Sequence, residues 1–347
     1  MKKTIAAIFR HLLFLAVGFV LLWLALRGLD FSKIGYEFRN ARYIWILLSL
    51  IPGFIAIVSR AVRWNIMINA LGYKSTLGST LHAVIIGYFA NTIFPRLGEV
   101  TRCTVLSRRQ NIPLNGLFGT VISERIFDLI SLGIISFFVI IAQFGFLRGF
   151  LERMIWGPLS ARLPSMSWLI VMLGISLLLA AVLFYILFYI SRPYLRKRSF
   201  YSKIKDLIHG FVNGIKTIKN IKQKKAFITH TLLIWFMYFL MSYIPFRALQ
   251  ATGHLTLIDG TTLLIMGSLG FVIPVPAGIG AYHWIVSKTL NDLYGIASEA
   301  AASFALMVHA SQIFLVVFLG IISMFYLLFI KKQSINVNIG DHQQQDI

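Results

Sequence analysis

Residues Leu77–Leu106 read LGSTLHAVIIGYFANTIFPRLGEVTRCTVL, and the middle of this stretch decides the fold. The uncharged run Ser75–Pro95 meets a break at Asn91-Thr92-Ile93-Phe94-Pro95-Arg96-Leu97-Gly98-Glu99. Proline removes an amide donor and glycine adds ordering entropy, so an intact helix does not pass through. At membrane depth, irregular backbone is tolerated only against protein or a wet cavity. A second segment, Gly260–Tyr294, is interrupted by Pro274-Val275-Pro276-Ala277-Gly278-Ile279-Gly280. The run Gly260–Ile273 before it would give a helix of only about 21 Å, too short to span. The expected break residues are Asn91, Pro95, Gly98, Pro274, Pro276, Gly278 and Gly280.

Composition around these segments fits a bilayer. Of 347 residues, 58% are apolar and 13% charged, where a soluble domain carries about a quarter charged. Uncharged runs at Tyr43–Ser59, Leu129–Leu147, Leu163–Ser191, Ala226–Phe246 and Ala300–Ile330 approach or exceed the roughly 18–20 residues that cross a hydrocarbon core. Ile5–Leu26 is a further span. Ala25-Leu26-Arg27 offers no small-residue cleavage site, so this run reads as a mature anchor rather than a signal peptide. The expected fold is an all-α integral membrane protein with about six full spans and two broken re-entrant helix pairs, or else eight full spans.

The formal charge of +21 serves topology, since Lys and Arg stay on the cytoplasmic side. More of the 33 basic residues fall inside when both broken segments return to their own side and the N-terminus is cytoplasmic. This arrangement makes residues 1–147, with broken segment 77–106, a first membrane repeat. Residues 148–162 form an outer loop, and residues 163–330, with broken segment 260–294, repeat the first order upside down. Inverted repeats with broken helices near the midplane build many transporter sites. A polar tail, 331–347, follows. The stretch 192–225 holds eleven Lys and Arg against Asp206, with apolar residues at helical spacing. It reads either as an amphipathic helix on the anionic cytoplasmic leaflet or as a plain positive-inside loop. No readout motif accompanies the charge, so nucleic acid is not an expected partner. The single Cys103 excludes an internal disulfide.

Charges inside apolar segments cost at least about 2.5–3.5 kcal/mol and face a partner or a wet cavity. Three clusters qualify: Arg60 and Arg63 near the end of the second span; Arg96, Glu99 and Arg102 around the first break; and Glu124, Arg125 and Asp128 opening the next span. Guanidinium groups suit bidentate phosphate contacts, so Arg60, Arg63, Arg96 and Arg102 are candidate lipid headgroup ligands. Glu99, Glu124, Arg125 and Asp128 are supporting charges. The plainer reading has Arg60 and Arg63 snorkelling to the interface and Glu124 and Asp128 neutralising Arg96 or Arg102. His283, after the second break, is a further polar candidate. His82 and His309, alone on apolar faces, are expected to be packing residues.

Gly87-Tyr88-Phe89-Ala90-Asn91 running into Pro95-Arg96-Leu97-Gly98-Glu99-Val100-Thr101-Arg102, then Glu124-Arg125-Ile126-Phe127-Asp128, resembles the transmembrane family of lysylphosphatidylglycerol synthetases. Arg60…Arg63-Trp64 and Pro274…Pro276-Ala277-Gly278-Ile279-Gly280 share the likeness, which covers roughly residues 5–330. The resemblance implies a flippase-like membrane region for aminoacylated phosphatidylglycerol. Two departures qualify it. Nothing resembling the family's soluble aminoacyl-transferase domain follows Lys331–Ile347, so that activity is not expected. The acidic residue that the family often carries after the second break is absent from Gly280-Ala281-Tyr282-His283-Trp284, which opens the choice of lipid.

Nucleophile elbow, P-loop, HExxH and Mg²⁺-cluster motifs are missing from the sequence, so catalysis, a cofactor and a metal are not expected. The expected function is translocation of a phospholipid or related phosphate-bearing lipid across the bacterial inner membrane. The alternatives are a non-catalytic membrane partner of an envelope or lipid-modifying enzyme and, behind it, a membrane-embedded lipid-modifying enzyme.

Overall fold

The computed structural model describes residues 2–144 and 221–329, with side chains from Leu12 onward. The outer loop 148–162, the apolar run 163–191, residues 192–220 of the basic stretch and the tail 331–347 lie outside the described residues. The chain forms two compact units, residues 1–136 with 216–347 and residues 137–215. In the second, only the end of one helix and the two residues after it are described.

Among the described residues the structure is helical throughout, with no strand. Helix α1 (Lys2–Leu26) turns through 87° into α2 (Phe31–Asn40). Gly28, at φ +78°, makes the corner, and Asp30 caps α2 by accepting from the Ser32 N–H at 2.8 Å. Then follow α3 (Tyr43–Ala70), α4 (Leu77–Ile93), α5 (Gly98–Gln110) and α6 (Leu114–Ala142). The remaining helices are α7 (Lys224–Tyr243), α8 (Leu257–Gly270), α9 (Ala281–Lys288) and α10 (Ser298–Phe329). Helices α3, α6, α10 and α7 with its 3₁₀ extension to Ala248 are long and apolar enough to cross a membrane. The bent α1–α2 pair supplies a fifth if it counts as one span.

Helices α4 and α8 are apolar but shorter than the spanning helices, and each folds back on its successor. In the first hairpin Gln110 Nε2 donates to Ser79 Oγ at 2.8 Å, and the backbones of Gly87 and Gly98 touch. At the tip the Gly98 N–H donates to Asn91 Oδ1 at 2.7 Å. Pairing therefore runs from 79 opposite 110 to 91 opposite 98, which makes the two arms antiparallel. The returning arm reaches Gln110, beyond the expected 106, and stops at Asn111 (φ +52°) just before Pro113. Asn91 is not itself a break. It lies in the last turn of α4 and staples the two arms, because its amide reaches an N–H that no earlier carbonyl can satisfy.

The second hairpin starts earlier than expected, at Leu257, where the Asp259 carboxylate accepts from the Thr256 N–H at 2.7 Å. Its arms meet where Gly270 lies against the backbone of Tyr282. Between them lie Pro274, the 3₁₀ turn Pro276–Gly278 and Gly280. Ala277, Gly278 and Gly280 adopt φ of +52°, +76° and +81°.

Each hairpin has its own core. Trp64, Ile68, Ala83, Leu106 and Leu117 pack around the first, and Phe246, Leu263, Val286, Leu290 and Phe304 around the second. Two further boundaries matter for function. Helix α3 continues to Ala70, so Arg60 and Arg63 lie inside the span rather than at its end. Helix α6 starts at Leu114, so Glu124 and Asp128 lie several turns within it rather than opening it.

Candidate functional site: a buried arginine–carboxylate network beside two helix breaks

Spacing sets up the network before packing completes it. Arg60 and Arg63 are three residues apart on α3, and Glu124 and Asp128 are four apart on α6, so each pair projects from one helical face. Packing of α3, α5 and α6 points these faces at each other. Arg60 Nη1 lies 3.1 Å from Glu124 Oε1, and Arg60 also pairs with Asp128. Arg63 Nη2 reaches Asp128 Oδ1 at 2.7 Å and Glu124 Oε1 at 3.5 Å. Arg102, from α5, reaches Glu124 Oε2 at 3.0 Å while its guanidinium stacks 4.8 Å from the Trp64 ring. Trp64 is held by its own hydrogen bond to Thr120 Oγ1, at 2.8 Å.

Burial rules out snorkelling. Arg63 is 0% exposed, Glu124 1% and Arg60 5%. Among the described residues, three guanidinium groups here face two carboxylates, which leaves one positive charge in excess. Arg60 Nε, Arg63 Nε and Arg102 Nη2 are buried donors without a hydrogen-bond partner among the described residues. An uncompensated buried cation with free donors is costly, and an anion removes that cost.

The second expected cluster is split by the fold. Arg102 joins the network, whereas Glu99 pairs with Arg125 at 2.5 Å, on the edge of the site. Arg96 joins neither. It sits exposed at the hairpin tip with φ +63°, and its Nη2 lies 3.5 Å from the Val272 carbonyl of the second break. Glu99 therefore holds Arg125, not Arg96 or Arg102, and neither Glu124 nor Asp128 neutralises Arg96.

Two openings reach this region. A small crevice lies among Arg60, Tyr88, Asn91, Glu99, Arg102 and Arg125. Beside it runs a groove of about 540 Å³, walled by Phe118, Val121, Ile122, Ile126 and Leu129 of α6 and rimmed by Arg96, Glu99 and Arg125. Charge at one end and apolar wall along the other match an amphiphile in shape and polarity.

His283 lies at the second break rather than in the network. Its Nδ1 accepts from the Gly280 N–H at 3.1 Å. His309, expected to be packing, lies 4.6 Å away ring to ring and donates from Nε2 to the Ala277 carbonyl at 2.9 Å. Tyr88 and Tyr238, whose hydroxyls meet at 3.3 Å, were also missed as neighbours of the site. No local signal marks these residues, because a lone His or Tyr on an apolar helix looks like core.

The family model of the lysylphosphatidylglycerol synthase transmembrane region matches residues 11–320. A UPF0104 membrane protein of Methanocaldococcus jannaschii is 26% identical over 344 residues, covering 93% of this chain and 95% of its own. A UPF0104 membrane protein of Pyrococcus horikoshii is 23% identical over 293 residues, covering 76% of this chain and 81% of its own. The glycosyltransferase AglD of Haloferax volcanii is similar over a shorter stretch, 34% identical over 74 residues, which is 21% of this chain and 12% of that protein. No solved structure matches the chain. Spans, motifs and family match agree, and this multi-pass membrane protein belongs to the family of the lysylphosphatidylglycerol synthase transmembrane region.

Proposed function

We propose that the protein is a lipid translocator that passes the headgroup of a phosphate-bearing lipid through the membrane, without a catalytic step of its own. One observation carries this reading. The buried network has a positive charge in excess and free guanidinium donors at a crevice next to an apolar groove. A phosphate would take the charged end, with Arg96 and Arg125 at the rim and Arg102 inside, and an acyl chain would follow the wall of α6. Glu124 and Asp128 preorganise the arginines, so binding needs no new burial of charge. The α4–α5 and α8–α9 hairpins act as re-entrant pairs of an inverted repeat, opening to opposite sides of a cytoplasmic membrane with the N-terminus inside. Lys and Arg of 192–225 then face the anionic inner leaflet.

Headgroup translocation in proteoliposomes, with labelled anionic and aminoacylated phospholipids, tests the reading. Arg96→Ala should lower the rate at least about tenfold, the loss expected for one charge-assisted hydrogen bond. Its unfolding temperature should hold, because Arg96 is exposed and carries one weak carbonyl contact. Full transport by this variant would overturn the assignment. A second reading, a membrane partner for a lipid-modifying enzyme, is favoured by the match to a named glycosyltransferase. It predicts no transport of any lipid by well-folded protein and free substitution at Arg96.

A further inference from the structure

Two buried histidines at the second break are left unused by the headgroup site, and they hold a turn with positive φ at Ala277, Gly278 and Gly280. His309 Nε2 donates to the carbonyl of Ala277, which sits at φ +52°. His283 Nδ1 accepts from the N–H of Gly280, which sits at φ +81°. Gly280 is in turn pressed onto α1, where an added Cβ would lie 2.0 Å from the Gly18 carbonyl. The Gly280 bond requires a neutral His283, because Nδ1 must keep its lone pair, and a charge on that ring would lie 4.6 Å from His309.

We infer that His283 and His309 form a proton site that opens the second hairpin and couples headgroup translocation to protons; the coupling rests on the translocator reading, the proton site does not. A proton arriving from the aqueous side binds His283 Nδ1. That atom becomes a donor facing the Gly280 donor, the hydrogen bond is lost, and a charge appears beside His309 in a buried site. The positive-φ turn then keeps the His309–Ala277 bond alone, and at Gly280 it relaxes away from Gly18. Arg96 spans the two breaks through the Val272 carbonyl, so movement of this turn frees its guanidinium for a headgroup.

Charges on the packed elements do not offset the proton. Helices α1, α8 and α10 and the turn Thr289–Leu293 pack on α9, and α4 packs on Pro276–Gly278. On these elements Asp259 caps α8, Asp292 pairs with Lys288, and Glu299 pairs with Lys33. Tyr282 stacks on His309, and His82 stacks on Tyr326. Tyr88 bonds to Tyr238, Arg27 lies over Trp23 just past the far end of α1, and Arg96 is the cation nearest the turn by contact. Each described carboxylate on these elements is thus engaged away from the histidine pair.

His283→Asn separates the proton from the hydrogen bond, since Asn Oδ1 accepts from the Gly280 N–H and does not titrate. In proteoliposomes holding a labelled anionic phospholipid, wild-type translocation should rise at least about threefold between about pH 7.5 and about pH 5.5, while the variant stays flat within about twofold. Hydrogen–deuterium exchange of residues 271–284 gives a readout that needs no transport. With wild type and variant compared at the same pH, intrinsic exchange rates cancel. Exchange should match at about pH 7.5 and be at least about threefold faster in wild type at about pH 5.5. Equal exchange at both pH values would overturn the proton site whatever the lipid result. Exchange that responds to pH while no lipid moves leaves the proton site standing and overturns the translocator reading.

Discussion

Glu124→Ala should be the most damaging single substitution in this protein. The carboxylate lies 3.1 Å from Arg60, 3.5 Å from Arg63 and 3.0 Å from Arg102, and it is 1% exposed. Its removal leaves three guanidinium groups with Asp128 alone. Stranding a buried charge in this way costs about 3–5 kcal/mol, which is a large share of the stability of most domains. The expected result is poor recovery of folded protein in detergent and an unfolding temperature many degrees below wild type. Glu124→Gln should cost less, because its amide oxygen keeps a polar atom facing the Arg102 guanidinium. Combining it with Arg102→Met should recover part of the loss, since removing a cation relieves the excess that the first change enlarges. An unfolding temperature for Glu124→Ala close to wild type would show that water in the crevice already solvates the arginines.

The second large effect is expected at the waist of the first hairpin. Gly98 lies so close to α4 that an added Cβ would sit 2.1 Å from the Gly87 carbonyl and 2.6 Å from the Asn91 amide. The Gly87 carbonyl is backbone and cannot swing aside, so Gly98→Ala must push the two arms apart and disturb the Gly98–Asn91 hydrogen bond. Overpacking of this kind costs about 1–3 kcal/mol. Spreading the arms also shifts Arg102 away from Glu124, so translocation should fall along with stability. Gly119→Ala is the control. Nothing lies within 4 Å of its added Cβ, and a helix-interior glycine replaced by alanine gains up to about 1 kcal/mol. Thermal unfolding of the two variants side by side decides the matter, and equal stability would mean that the α4–α5 contact is looser than the Gly87–Gly98 approach implies.

Sequence alone determined the features that are local in cause. The uncharged runs Tyr43–Ser59, Leu129–Leu147, Ala226–Phe246 and Ala300–Ile330 each fall on a helix long and apolar enough to cross a membrane, because the bilayer requires continuous hydrophobic length. Pro95, and Pro274 with Gly280, marked the two breaks, because a missing N–H and the freedom to adopt positive φ are properties of the residue itself. Arg60, Arg63, Arg102, Glu124 and Asp128 stood out for a similar reason, since charge in an apolar segment needs a partner wherever that partner comes from.

Partner choice was the part that only tertiary structure decided. Arg96, Glu99 and Arg102 sit at even spacing and read as one cluster. Rotation about the hairpin sends Arg102 to Glu124, Glu99 to Arg125 and Arg96 to a carbonyl of the other break. His309 lies well along the chain from Ala277 and shows no periodic or motif signal, yet packing of α10 against α9 makes it hold the second turn. Helix ends shifted for the same reason: α3 runs on past Arg63 because Trp64 and Ile68 bury against the first hairpin, and a hydropathy window that stops at the first charge cannot register that burial. Pairings of this kind join residues far apart in sequence, and their energy depends on how helices rotate and approach.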